Sequence, residues 1–80
     1  MSSVREQVIA VFADQLAMPV GVFTDETSFE DTTADSLDSV EVSMALEETF
    51  DIHIGDDEWN AVTNVGEAVA LVASKMGVAA

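Results

Sequence analysis

The stretch Asp35-Ser36-Leu37-Asp38-Ser39-Val40-Glu41-Val42-Ser43-Met44-Ala45-Leu46-Glu47-Glu48-Thr49-Phe50 decides how this chain is read. Its apolar residues recur at helical spacing, and Asp35 is the expected N-cap. At about 100° per residue, Val42, Leu46 and Phe50 fall within about 80° of one another. Leu37, Val40 and Met44 fall within about 60° on nearly the opposite side. One face must enter the core of so small a chain. The other is expected to stay at least partly wet, because Glu41 and Glu48 fence it on one edge and Glu47 on the other, and buried unpaired carboxylates are costly. An apolar strip bounded by carboxylates suits docking to partner proteins, the apolar contacts supplying buried area and the charges governing encounter and orientation. The same glutamates argue against the rival arrangement, a central helix with both faces buried.

Ser36 stands at the head of this helix, where backbone N–H groups lack intrahelical acceptors and the dipole is positive. That is a favourable place for a phosphate ester. No neighbouring base could turn the serine into a nucleophile, so Ser36 reads as an attachment point and not a catalyst. A serine hydrolase would need a Gly-x-Ser-x-Gly elbow, which does not occur. The one histidine, His53, lies some five helical turns away, roughly 25 Å along a continuous helix.

Outside this stretch the chain reads as helices and one long connection. Ser3 and Glu6 form a capping-box pattern ahead of Val4, Val8, Phe12 and Leu16, with Ile9 and Val11 widening the stripe. Pro19 and Gly21 are expected to end this helix near Ala17 or Met18. In the connection from Pro19 to Ala34, Val20, Val22, Phe23 and Phe29 are candidates to anchor it on the core. Ile52-His53-Ile54 is too short for a strand assignment, and Asp56 to Asn60 suits one helical turn. Thr63 or Asn64 then caps a last helix carrying Val65, Val69, Val72 and Met76, with Lys75 in its final turn and Gly77 as its stop. The expected architecture is all-α: a small four-helix bundle of three main helices and a short third one, in one domain spanning residues 1–80, with a long loop between the first and second helices.

Composition bounds the partners. Sixteen acidic side chains face two basic ones, Arg5 and Lys75, for a formal charge of −14. Such a field repels nucleic acid and anionic membranes and favours basic patches on other proteins. Glu47, Glu48 and Asp51 crowd the C-terminal end of their helix, where negative charge is unfavourable, so sensitivity to salt and divalent cations is expected. The EF-hand pattern is absent, and Asp56-Asp57-Glu58 imitates it only in part. With no cysteine, no membrane-length apolar run and no leader pattern, a monomer in the cytoplasm is expected.

Asp35-Ser36-Leu37-Asp38, followed by Val40-Glu41, Met44-Ala45-Leu46-Glu47-Glu48 and Phe50-Asp51, resembles the signature helix of the acyl carrier protein family. Weaker similarity extends over Val4 to Leu16 and Thr63 to Val72. The resemblance implies a non-catalytic, stand-alone carrier with a four-helix fold and a long first loop. It implies 4′-phosphopantetheine on Ser36, transferred from coenzyme A by a phosphopantetheinyl transferase, with Asp35 helping to hold magnesium transiently during that transfer. The thiol absent from the chain would arrive on this group and carry acyl intermediates as thioesters. Asp35, Leu37, Asp38, Val40, Glu41, Met44, Glu47 and Glu48 would face partner enzymes: acyl synthases, reductases and acyltransferases of fatty-acid or polyketide biosynthesis with basic docking patches. The chain departs from the family in the approach to Ser36. Ser28 to Ala34 is one residue shorter than usual, and Thr32 and Thr33 replace the customary Leu and Gly. Trp59 in the short third turn and Gly66 inside the last helix are also unusual. These changes favour a pathway-dedicated carrier. A peptidyl or aminoacyl carrier, and an acidic interaction protein with unmodified Ser36, are the alternatives.

Overall fold

The computed structural model describes residues 3–28 and 36–77, with the side chains of Ser36 and Leu37 outside that description. Phe29, Thr32, Thr33 and the expected cap Asp35 therefore lie outside the described residues. Among the described residues four helices follow in order: α1 (Val4–Leu16), α2 (Ser36–Phe50), the short α3 (Asp56–Asn60) and α4 (Val65–Met76), with a 3₁₀ turn at Val20–Val22. Helix α1 packs against both α2 and α4, and α2 also meets α4. The all-α architecture read from the sequence is the one observed. Among the described residues the only extended pairing is an isolated bridge between Ser28 and Asn64.

The core is built from the expected stripes. Val8 and Phe12 of α1, Val42 and Leu46 of α2, and Val65, Val69 and Val72 of α4 are almost fully buried. Phe23, Ile54, Trp59 and Val62 close the core from the loops and α3. Three details differ from expectation. Val20 and Val22 are exposed, so of the three described apolar candidates Phe23 alone is buried, its ring 6.0 Å from that of Phe12. Met76 is exposed because α4 reaches its last turn beyond the core. Helix α1 does end where expected, but the stop is made by Ala17, which takes a left-handed conformation and lets Met18 N–H bond back to Ala13 O.

The helix ends are capped as the residue types require. Ser3 Oγ accepts from Glu6 N–H, and Asn64 Oδ1 accepts from Glu67 N–H. Asp51 holds the left-handed position after α2, with Ile52 N–H bonded to Glu47 O. Gly66 explains itself here. The carbonyls of Thr27 and Asp25 accept from the Val65 and Gly66 N–H groups, and a Cβ on Gly66 would lie 3.1 Å from Asp25. The missing side chain lets the long connection cap α4 with its own backbone.

Candidate functional site

Helix α2 presents the two faces that its spacing implies. Val42 and Leu46 are fully buried, whereas Val40 is 47% and Met44 55% exposed. Glu41 and Glu48 lie exposed along the same strip, and Asp38 is half-buried in the first turn. The arrangement with both faces buried does not occur. Ser36 is the first residue of this fifteen-residue helix. It therefore heads the turn whose N–H groups point out of the helix without intrahelical acceptors.

Glu47 occupies a different environment from Glu41 and Glu48. One carboxylate oxygen accepts from Ile54 N–H at 2.9 Å and lies 3.3 Å from His53 Nδ1. This glutamate pins the segment after α2 back onto the helix, a role that its place on the strip's edge did not reveal. His53 is thereby accounted for as a helix-end residue, with its side chain largely in solvent.

Alongside the strip, α2 and α3 enclose a groove of about 520 Å³. Val40 and Met44 form one wall, Ile54 and Trp59 the other, with Ser43 and Asn60 among its polar lining. The Trp59 indole N–H donates to Ser39 Oγ at 2.9 Å, tying α3 to the first turns of α2. Ser39 is three residues beyond Ser36 in the same helix. Sequence reasoning marked Trp59 as unusual but found no partner for it, because a contact across twenty residues leaves no periodic trace.

The short α3 is held at two further points. Lys75 Nζ lies 2.7 Å from Glu58 Oε2, and Glu58 Oε1 accepts from Gly55 N–H at 3.0 Å. The Lys75 hydrogen bond, helped by the Gly55 N–H, holds the Glu58 carboxyl below its ordinary value. Glu67 is lowered likewise, by the Thr63 hydroxyl first and the Thr63 N–H second.

The site can hold a phosphodiester without a cationic side chain. The chain's two Lys and Arg side chains are occupied elsewhere, Arg5 with Asp25 and Lys75 with Glu58. The helix N-terminus at Ser36 supplies N–H donors and a positive dipole end instead, so the donor set fits a phosphate-linked group. Asp35, the candidate for transient magnesium, lies outside the described residues. No group of three or more His, Asp or Glu side chains is placed to hold a metal among those described. No helix among them is long and apolar enough to cross a membrane.

Comparison with known protein families assigns the chain to a family. A family model described as the phosphopantetheine attachment site matches residues 6–72, from the first turn of α1 to the last turns of α4. The match takes in the exposed strip, the groove and Ser36 together. Members of that family carry 4′-phosphopantetheine as a prosthetic group. The chain belongs to the phosphopantetheine attachment family of carrier domains, and the acyl carrier protein resemblance of its second helix is part of that membership.

Proposed function

We propose that this carrier bears its 4′-phosphopantetheine on Ser36 and presents acyl units to the enzymes of fatty-acid or polyketide biosynthesis. The observation that carries the reading is the position of Ser36 at the head of α2, beside an exposed apolar strip fenced by carboxylates. When bound, the group supplies a flexible arm and a terminal thiol on which an acyl unit is held as a thioester. The chain's own residues orient and advertise that arm. The first turn of α2 balances the phosphate charge through its N–H groups. Leu37, Asp38, Val40, Glu41, Met44 and Glu48 form the docking strip, while Glu47 defines its edge and secures the following loop. A phosphopantetheinyl transferase loads Ser36, with Asp35 assisting magnesium.

The carrier works as a monomer, since a charge of −14 opposes self-association and favours brief docking on basic patches. The acidic Asp-Ser-Leu-Asp context favours an acyl load over a peptidyl one.

The test is an intact mass after incubation with coenzyme A, magnesium and a broad-specificity phosphopantetheinyl transferase. One added phosphopantetheinyl group is expected, absent from Ser36→Ala. No addition, with the transferase active on another carrier, would overturn the assignment of Ser36.

A further inference from the structure

A second trough lies between α1 and α2. Two shallow hollows, of about 300 and 200 Å³, adjoin there and share Gln15 and Ala45 in their linings. Its lining is partly small and apolar: Ala10 and Val11 from α1, Ala45 from α2. Alanine side chains stop at Cβ, so another helix can bring its backbone close. The rim is acidic. Asp14 stands on the α1 side, and Glu41 and Glu48 on the α2 side, all three exposed. Arg5 and Lys75 are ion-paired with Asp25 and Glu58, so neither offsets this rim.

We infer that this trough docks a basic amphipathic helix of a partner protein. Its lysines or arginines lie over Asp14, Glu41 and Glu48, and its small apolar residues lie on the alanine floor. Charge selects this occupant. A second copy of the chain would bring another −14 against the same carboxylates, and nucleic acid or an anionic bilayer would be repelled in the same way. The inference does not need the prosthetic group. It adds an α1 wall to the surface on α2, and two walls fix a partner's orientation where one strip leaves rotation about the helix axis free.

The test uses the full isotope-labelled chain, unmodified at Ser36, so its outcome is separate from that of the loading experiment. It is titrated by NMR with a synthetic lysine-rich amphipathic helical peptide, beside a scrambled peptide of the same composition. Amide shifts are expected to gather at Ala10, Asp14, Gln15, Ala45 and Thr49, and the scramble is expected to bind more weakly. Asp14→Lys should weaken the peptide about fivefold or more, while Asp57→Lys, an equal charge change on α3, should have a much smaller effect. Ala10→Gln, which fills the floor without changing charge or helix propensity greatly, should also weaken it. Equal effects of Asp14→Lys and Asp57→Lys, or equal binding of the scramble, would reduce the trough to diffuse charge and overturn the inference. Shifts gathered instead at Val40, Ser43, Ile54 and Asp56 would place the helix in the other groove and overturn it too.

Discussion

Ala17 holds a φ of 54° and Asp51 a φ of 53°, and both are left-handed positions where a Cβ crowds the backbone. Gly77 fills the matching position after α4 without that cost. Ala17→Gly is therefore expected to raise stability by about 0.5–1 kcal/mol. It would show as a higher urea midpoint at an unchanged m-value. The two perturbed glutamates make a pH prediction. Because Glu58 and Glu67 titrate below the ordinary 4.5 in the folded chain, the unfolded chain binds protons more readily. Their contribution to stability is complete above 4.5 and is lost as the pH falls through the depressed values. Urea midpoints of Glu58→Gln and Glu67→Gln should lie below that of the parent at neutral pH and converge with it in acid. A gap that persisted in acid would mean the side chains act through packing instead. None of this was legible in the sequence beyond the caps: Ser3, Asn64 and Gly77 announce themselves by type, whereas an alanine in a left-handed turn does not.

At the scale of elements, α3 is the shortest of the described α-helices. It has five residues, too few to hold a helix by itself. Trp59 to Ser39, Lys75 to Glu58 and the burial of the Trp59 ring keep it against α2 and α4. Trp59→Phe keeps most of the apolar bulk and removes the indole N–H, and Ser39→Ala removes the acceptor. Each is expected to cost about 1 kcal/mol, and the double variant less than the sum. Full additivity in a denaturation cycle would show that the hydrogen bond contributes nothing. The three main helices were readable because their apolar residues repeat at helical spacing over three turns or more. The anchoring of the long connection was not. Of its four apolar candidates, Phe23 is buried, Val20 and Val22 are exposed, and Phe29 lies outside the described residues. Apolar type alone does not say which side of a loop faces inward. Gly66 looked like a flaw in α4 and proves to be where the connection's backbone meets the helix.

Across the whole molecule, the two cationic side chains and the histidine sit at seams. Arg5 joins α1 to the connection through Asp25, His53 lies against α2 at Glu47, and Lys75 joins α4 to α3 through Glu58. Arg5 and Lys75 are already counted in the net charge of −14, so all of that charge stays unbalanced and self-repulsion lowers the stability of the compact state. Millimolar magnesium or moderate salt is expected to raise the melting temperature, the carboxylates being screened or bridged. Identical melts with and without the cation would show that repulsion is not limiting. The exposed apolar strip on α2 was legible because it depends only on spacing and charge within one helix. The α2–α3 groove and the α1–α2 trough were not, since each is made by two elements whose relative placement no single stretch encodes.

Trp59 is the chain's only tryptophan, and there is no tyrosine. Its ring is buried and its indole N–H is engaged by Ser39, beside the helix that carries Ser36. The molecule thus holds a single intrinsic fluorophore at the joint between α2 and α3. A red shift of its emission would report, without any label, the moment that joint opens to water.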